Sequence, residues 1–206
     1  MRIGRLGAAA AAMAVAAVVI VRSDIAVVAQ TMGQPIRLSA WAVSMANVAT
    51  GANAVLDIRI NKWSTDAQRK ELISTFLDKG QEKLLSKLQD MPEMGRLSIP
   101  ARRGPDPTQT RLGWTLRYTR QWPGEDGGMR IMIATDRVMS FEEVRNRPRS
   151  YDYPFTFLEI HLNKDGQGEG KMAVATQLQF DKDKNTIVFE NYSTEPVRLQ
   201  QVKIEK

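Results

Sequence analysis

Along "RNRPRSYDYPF", residues 145–155, Arg145, Arg147 and Arg149 alternate with Asn146 and Pro148, and Tyr151, Tyr153 and Phe155 continue on the same parity. An arginine fork reads a carboxylate or phosphate, and an aromatic face stacks on an apolar or planar body. The stretch belongs to a wider bias. Residues 96–149 hold eleven of the eighteen arginines and none of the eleven lysines, with Asp106, Glu125, Asp126, Asp136, Glu142 and Glu143 as their acids. In "GWTLRYTRQW", alternation sets Trp114, Leu116, Tyr118, Arg120 and Trp122 on one strand face, where Arg120 could stack on an aromatic neighbour. Two uses fit these residues. Trp114, Tyr118, Arg120, Arg145, Arg147 and Arg149 could line a concave site for an anionic or aromatic small molecule. Alternatively, the arginines pair with the six acids and solubilise strand ends.

Other chemistry is sparse. His161 is the one histidine, and on "FTFLEIHLN" it shares a face with Glu159, so a Glu–His general base could form there. No G-x-S-x-G or H-E-x-x-H spacing accompanies it, and Ser140 and Ser150 are the serines of the Arg-rich region. "DKDKN" (181–185) and "NKDGQG" (163–168) resemble the start of a calcium loop. They place Tyr192 and Val174 where its closing bidentate glutamate belongs, so both read as hairpin turns. There is no cysteine, which excludes a thiol nucleophile, a thiolate metal site and an iron–sulfur cluster. No metal or cofactor is implied.

The elements that must position these residues follow from periodicity. "NAVLDIRINKW" (53–63) alternates, with Leu56, Ile58 and Ile60 on one face and Asp57 and Arg59 on the other. Thr65 and Gln68 then make a capping box ahead of a stripe of Leu72, Ile73, Phe76 and Leu77. Gly80 ends or weakens that helix, and Leu84, Leu85, Leu88 and Met91 form the stripe of a second. Beyond Pro92 the chain alternates throughout. Leu97, Ile99 and Ala101 form a short strand marked as an edge by Pro100, and "MRIMIATD", "FTFLEIHLN", "KMAVATQLQF", "TIVFENY" and "VRLQQVKIE" follow. In the last, Val197 and Leu199 differ in parity from Val202 and Ile204, so a bulge is expected at Gln200–Gln201. The expected fold is α+β, a strongly curved antiparallel sheet of about eight strands with an N-terminal helical hairpin. A closed β-barrel plugged by helices is the alternative.

The N-terminus reads as an export signal. Arg2 and Arg5 precede an apolar run from Leu6 to Val21, and Val27 and Ala29 suit cleavage after residue 29. Sixteen such residues reach only ~24 Å as a helix, short of a ~30 Å hydrocarbon core. Residues 30–51 read as an arm or linker, and 52–206 as one domain. The mature charge is +4: 26 Lys plus Arg against 22 Asp plus Glu, once Arg2, Arg5, Arg22 and Asp24 are removed. That mild excess, with export to the periplasm or beyond, argues against a nucleic-acid partner.

From "KWSTDAQRKEL" through "ATDRVMSFEEVRNRPRSYDYPFTFLEIHLNKDGQGEGK" to "FENY", the chain resembles a group of exported bacterial proteins that have no assigned activity. The resemblance spans roughly residues 54–206 and implies export and a single domain. The function expected from the residues is a non-catalytic, exported cell-envelope binding protein. The alternatives are a hydrolase using Glu159 and His161, or an envelope scaffold that pairs through its sheet edges.

Overall fold

The computed structural model describes residues 31–43, 53–100, 113–137, 156–174, 178–181, 186–189 and 197–205. Eight strands close into a barrel: β1 (Ile36–Val43), β2 (Asn53–Ile60), β3 (Gly95–Ser98), β4 (Gly113–Pro123), β5 (Met129–Thr135), β6 (Thr156–Leu162), β7 (Gln167–Val174) and β10 (Val197–Glu205). They follow one another around the wall in chain order. Their number is even, so β10 returns antiparallel to β1 and leaves no edge in the main sheet. β8 (Leu178–Asp181) and β9 (Thr186–Phe189) form a separate two-stranded ribbon between β7 and β10. One kinked helix, α1 (Asp66–Asp90), lies between β2 and β3.

The curved sheet is therefore fully closed, and the barrel alternative holds. The helix does not plug an end. It packs on the outside, its Leu72, Leu84 and Leu88 meeting Tyr118 and Ala134 of the wall. Two further expectations are corrected. Residues 36–43 are not an arm but β1, paired along its length with both β2 and β10. β3 is not an edge, because it pairs with β2 and β4 and ends at Ser98, before Pro100 would be asked for a donor. An envelope scaffold working through free edges of the main sheet loses its basis with them.

An eight-stranded barrel has an interior just wide enough for side chains to fill. Here it holds a single apolar cluster that includes Leu38, Leu56, Ile58, Leu97, Trp114, Ile131, Ile133 and Leu158, all at 0–1 % exposure. The outer wall carries the opposite parity: Arg37, Asp57 and Arg59, then Glu159 and His161, then Lys171, Arg198 and Lys203. Membrane-spanning barrels show lipid an apolar outer band, whereas the outward residues named above are charged or polar. No helix among the described residues is long and apolar enough to cross a membrane.

The lead-in to α1 extends the wall of the barrel beside β4. β3 is too short to flank all of β4, and residues 61–64 take its place. Ser64 N–H donates to Thr119 O at 2.7 Å, Thr119 N–H to Ser64 Oγ at 3.1 Å, and Thr119 Oγ1 to Lys62 O at 2.6 Å. Trp63 packs on the core from there, with Nε1 donating to Gln34 O at 2.8 Å.

Two bulges bend the wall. The one expected at Gln200–Gln201 is present: the register slips between Leu199 and Val202 against β7 and between Ser39 and Trp41 of β1. Gln201 accommodates it at φ 50°, left-handed backbone that costs an L-residue about 1–2 kcal/mol. Glycine adopts this conformation freely but loses more entropy on folding. Gln201→Gly should therefore stabilise the fold by about 0.5 kcal/mol, and Gln201→Val should destabilise it, as chemical denaturation would report.

Candidate functional site

The second bulge decides the fate of the aromatic–arginine face. Between Leu116 and Tyr118 the register against β5 slips, Leu116 pairing with Thr135 and Tyr118 with Ala134. One extra residue inverts the parity that follows. Trp114 and Leu116 consequently point into the barrel, whereas Tyr118 and Arg120 belong to the outer wall under α1. Trp114 is 1 % exposed and is a core residue. The guanidinium that lies over its ring, 5.3 Å from the centroid, belongs to Arg137, which also donates to Gly113 O at 2.7 Å. Arg145, Arg147 and Arg149 lie outside the described residues, as do Ser140 and Ser150.

Tyr118 and Arg120 come together with α1 for reasons visible in its sequence. Thr65 caps the helix through both bonds of the box, at 3.2 Å and 2.8 Å to Gln68. Gly80 breaks it at φ 77°, with nothing within 4 Å of where a Cβ would stand. A straight helix would separate Glu71 and Lys87 by about 24 Å. Their side chains are ion-paired, so the two arms fold back on one another as a hairpin with Gly80 at its tip. Two arginines of β4 hold its ends. Arg120 Nη1 donates to Asp66 Oδ1 at 2.7 Å in the first turn. Arg117 donates to Met91 O at 2.7 Å just past the last turn, and its Nε meets Asp136 Oδ2 at 2.8 Å. These arginines are structural clasps, as the pairing alternative expects of the bias, though Asp66 lies outside the Arg-rich window.

The hairpin does not seal against the wall. A cavity of about 50 Å³ remains, lined by Arg69, Leu72 and Ile73 of the first arm and Leu84 and Leu88 of the second. Tyr118, Met132, Ala134 and Phe157 form its floor. The lining is apolar except at Arg69 and the Tyr118 hydroxyl. Burial pushes the Tyr118 phenol above its ordinary pKa, partly offset by the positive charge of Arg120 and Arg69. At Arg120, burial works against the charge, but Asp66 and Tyr118 outweigh it and hold the guanidinium more firmly protonated. The hydrogen bond from Arg120 in turn lowers the pKa of Asp66. The chemistry available is shape and charge: an apolar slot beside two cations and a neutral phenol.

Of the residues singled out in the sequence, Tyr118 lines this candidate cavity and Arg120 lies next to it, whereas Arg69 and Ala134 were not singled out. Arg69 falls on the same helical face as Leu72 and Ile73, one turn earlier, a signal available in the spacing. Ala134, 1 % exposed between larger neighbours, is what leaves the space.

The Glu159–His161 pair forms, Nε2 to Oε1 at 2.8 Å, on the convex outer wall of β6. Both side chains are open to solvent, at 31 % and 47 %, and their cross-strand neighbours are Met132, Arg130, Lys171 and Glu169. Among the described residues no three His, Cys, Asp or Glu side chains converge as a metal site. The calcium-like turn at Asn163 is occupied by its own backbone, with Oδ1 accepting from Asp165 and Gln167 N–H at 3.0 Å and 3.1 Å. Compared with known proteins, the chain matches no family model, no curated protein and no solved structure at a significant level, so its function is read from the site alone.

Proposed function

We propose that the chain is an exported, non-catalytic binding protein of the cell envelope whose ligand has an apolar or aromatic body and one anionic group. The observation that carries this is the apolar cavity under the α1 hairpin with Arg69 and Tyr118 in its lining. Small-molecule sites are concave and mostly apolar, with a few polar groups that fix orientation. The barrel interior is occupied by the apolar core cluster. At about 50 Å³ the cavity is well below the ~150 Å³ that accepts benzene, so the ligand's body enters by lifting one arm. Gly80 is the hinge that permits it, and the arginine clasps keep the hairpin's ends in place.

Hydrolysis by Glu159 and His161 is the second reading, supported by their 2.8 Å contact. It has less behind it, because the pair stands on a convex, solvent-open surface beside the cavity and is not among its lining residues. Export rests on the N-terminal pattern of Arg2, Arg5 and the Leu6–Val21 run.

Octanoate serves as the probe. Ala134→Leu should fill the cavity and weaken octanoate binding at least tenfold, with a melting temperature equal to or above that of the parent. Arg69→Gln should weaken octanoate but not octanol, measured by calorimetric titration. Full octanoate affinity in Ala134→Leu would overturn the assignment.

A further inference from the structure

The hairpin covers the outer wall at β4–β6, and the wall of β1–β3 carries a different pattern. In register, Arg37 of β1 lies opposite Arg59 of β2, which lies opposite Arg96 of β3. Neighbouring strands are about 4.8 Å apart, so three guanidinium groups are rooted within ~10 Å. Like charges directly opposite one another destabilise a sheet. Two carboxylates offset them in part, Asp57 by hydrogen bonds and Glu205 of β10, opposite Arg37, by its charge. Asp57 accepts from Arg37 at 2.8 Å and 3.0 Å and from Arg59 at 3.3 Å. Arg96 is exposed and has no carboxylate partner among the described residues. Arg37 and Arg59 each keep 54 % of their side-chain surface open, while Asp57 keeps 13 %. The outward-facing charge of the row is therefore positive.

The same face holds a second anomaly. Trp41 and Val55 are a cross-strand pair on β1 and β2, and both are exposed, at 41 % and 43 %. They sit four residues along the strands from Arg37 and Arg59, roughly 13 Å away. A soluble polyanion would engage the arginines and gain nothing from an exposed indole beside an isopropyl group. A bilayer surface engages both: arginine forks take lipid phosphates, and indole prefers the headgroup level.

We infer that the β1–β3 wall is a docking face for anionic lipid, with Arg37, Arg59 and Arg96 on headgroup phosphates and Trp41 and Val55 at the interface. This face lies apart from the cavity under α1 and stands whether or not that cavity binds a ligand.

Residues 30–206 hold every described strand and helix and every described core residue. That chain should co-sediment with vesicles of mixed phosphatidylcholine and phosphatidylglycerol, more weakly as salt is added, and not with phosphatidylcholine alone. Arg59→Gln with Arg96→Gln should weaken binding about thirty-fold, from about fivefold per basic residue at a lipid surface. Asp57→Asn, which unmasks two arginines, should strengthen it. Lipid should also blue-shift the tryptophan emission of the parent, and Trp41→Phe should abolish that shift. Equal binding to neutral vesicles, unchanged binding by the double variant, or binding to heparin with none to anionic vesicles would each overturn the proposal.

Discussion

Trp114→Ala is expected to cost about 3–5 kcal/mol, because it empties the largest fully buried side chain in the barrel. In a chain of this size that lowers the melting temperature by about 6–20 °C. The loss has two parts. The indole leaves a void among Leu97, Leu116 and their neighbours, and Arg137 loses the ring beneath its guanidinium. Thermal denaturation with Trp114→Phe as the milder control measures it. A ligand-stacking tryptophan would behave otherwise: its removal would spare stability and abolish binding. A melting temperature within 2 °C or so of the parent would contradict the placement of Trp114 in the core.

Gly168→Ala should cost about 3 kcal/mol, a large effect for one methyl group. A Cβ at position 168 would be driven into the backbone carbonyl of His161 on β6. The obstruction is main chain, so no rotamer relieves it, and β6 and β7 must part beside the turn at Asn163–Gly166. Hydrogen exchange should show the protection of Leu162 and neighbouring amides falling first, ahead of β1 and β2. Wild-type stability in Gly168→Ala would mean that the two strands are not packed this closely.

Most of the wall could be read from alternation, because burying one face of a strand leaves a period of two in its residues. Leu56, Ile58 and Ile60 point inward as read, as do Met129, Ile131 and Ile133. The Gln200–Gln201 bulge was legible because apolar residues change parity across two glutamines. The bulge at Leu116–Tyr118 was not, since Tyr118 is buried again on the other side of the wall, beneath α1. A residue buried outside a barrel looks the same in sequence as one buried inside it. β1 was hidden for a related reason. Its inward Ala40 and Ala42 are small while its outward Trp41 is large, so the usual weighting is reversed, and partners on both sides make it a strand. Closure itself was underdetermined, as no local pattern announces that β10 returns to β1.

The candidate site was half legible. Tyr118 and Arg120 stood out by type, but the cavity arises from a helix folding back at Gly80 over a wall that is small at Ala134. That meeting depends on three separate segments. Among the described residues of the Arg-rich stretch, Arg117 and Arg120 hold the hairpin's ends, and Arg137 covers Trp114.

The most direct test of the binding reading is methyl NMR of residues 30–206 during titration with octanoate. Saturable shifts should appear at Leu72, Leu84, Leu88 and Met132, with Ile131 and Ile133 inside the barrel unmoved. Shifts confined to the barrel interior, or none at any concentration short of micelle formation, would contradict a ligand site beneath the hairpin.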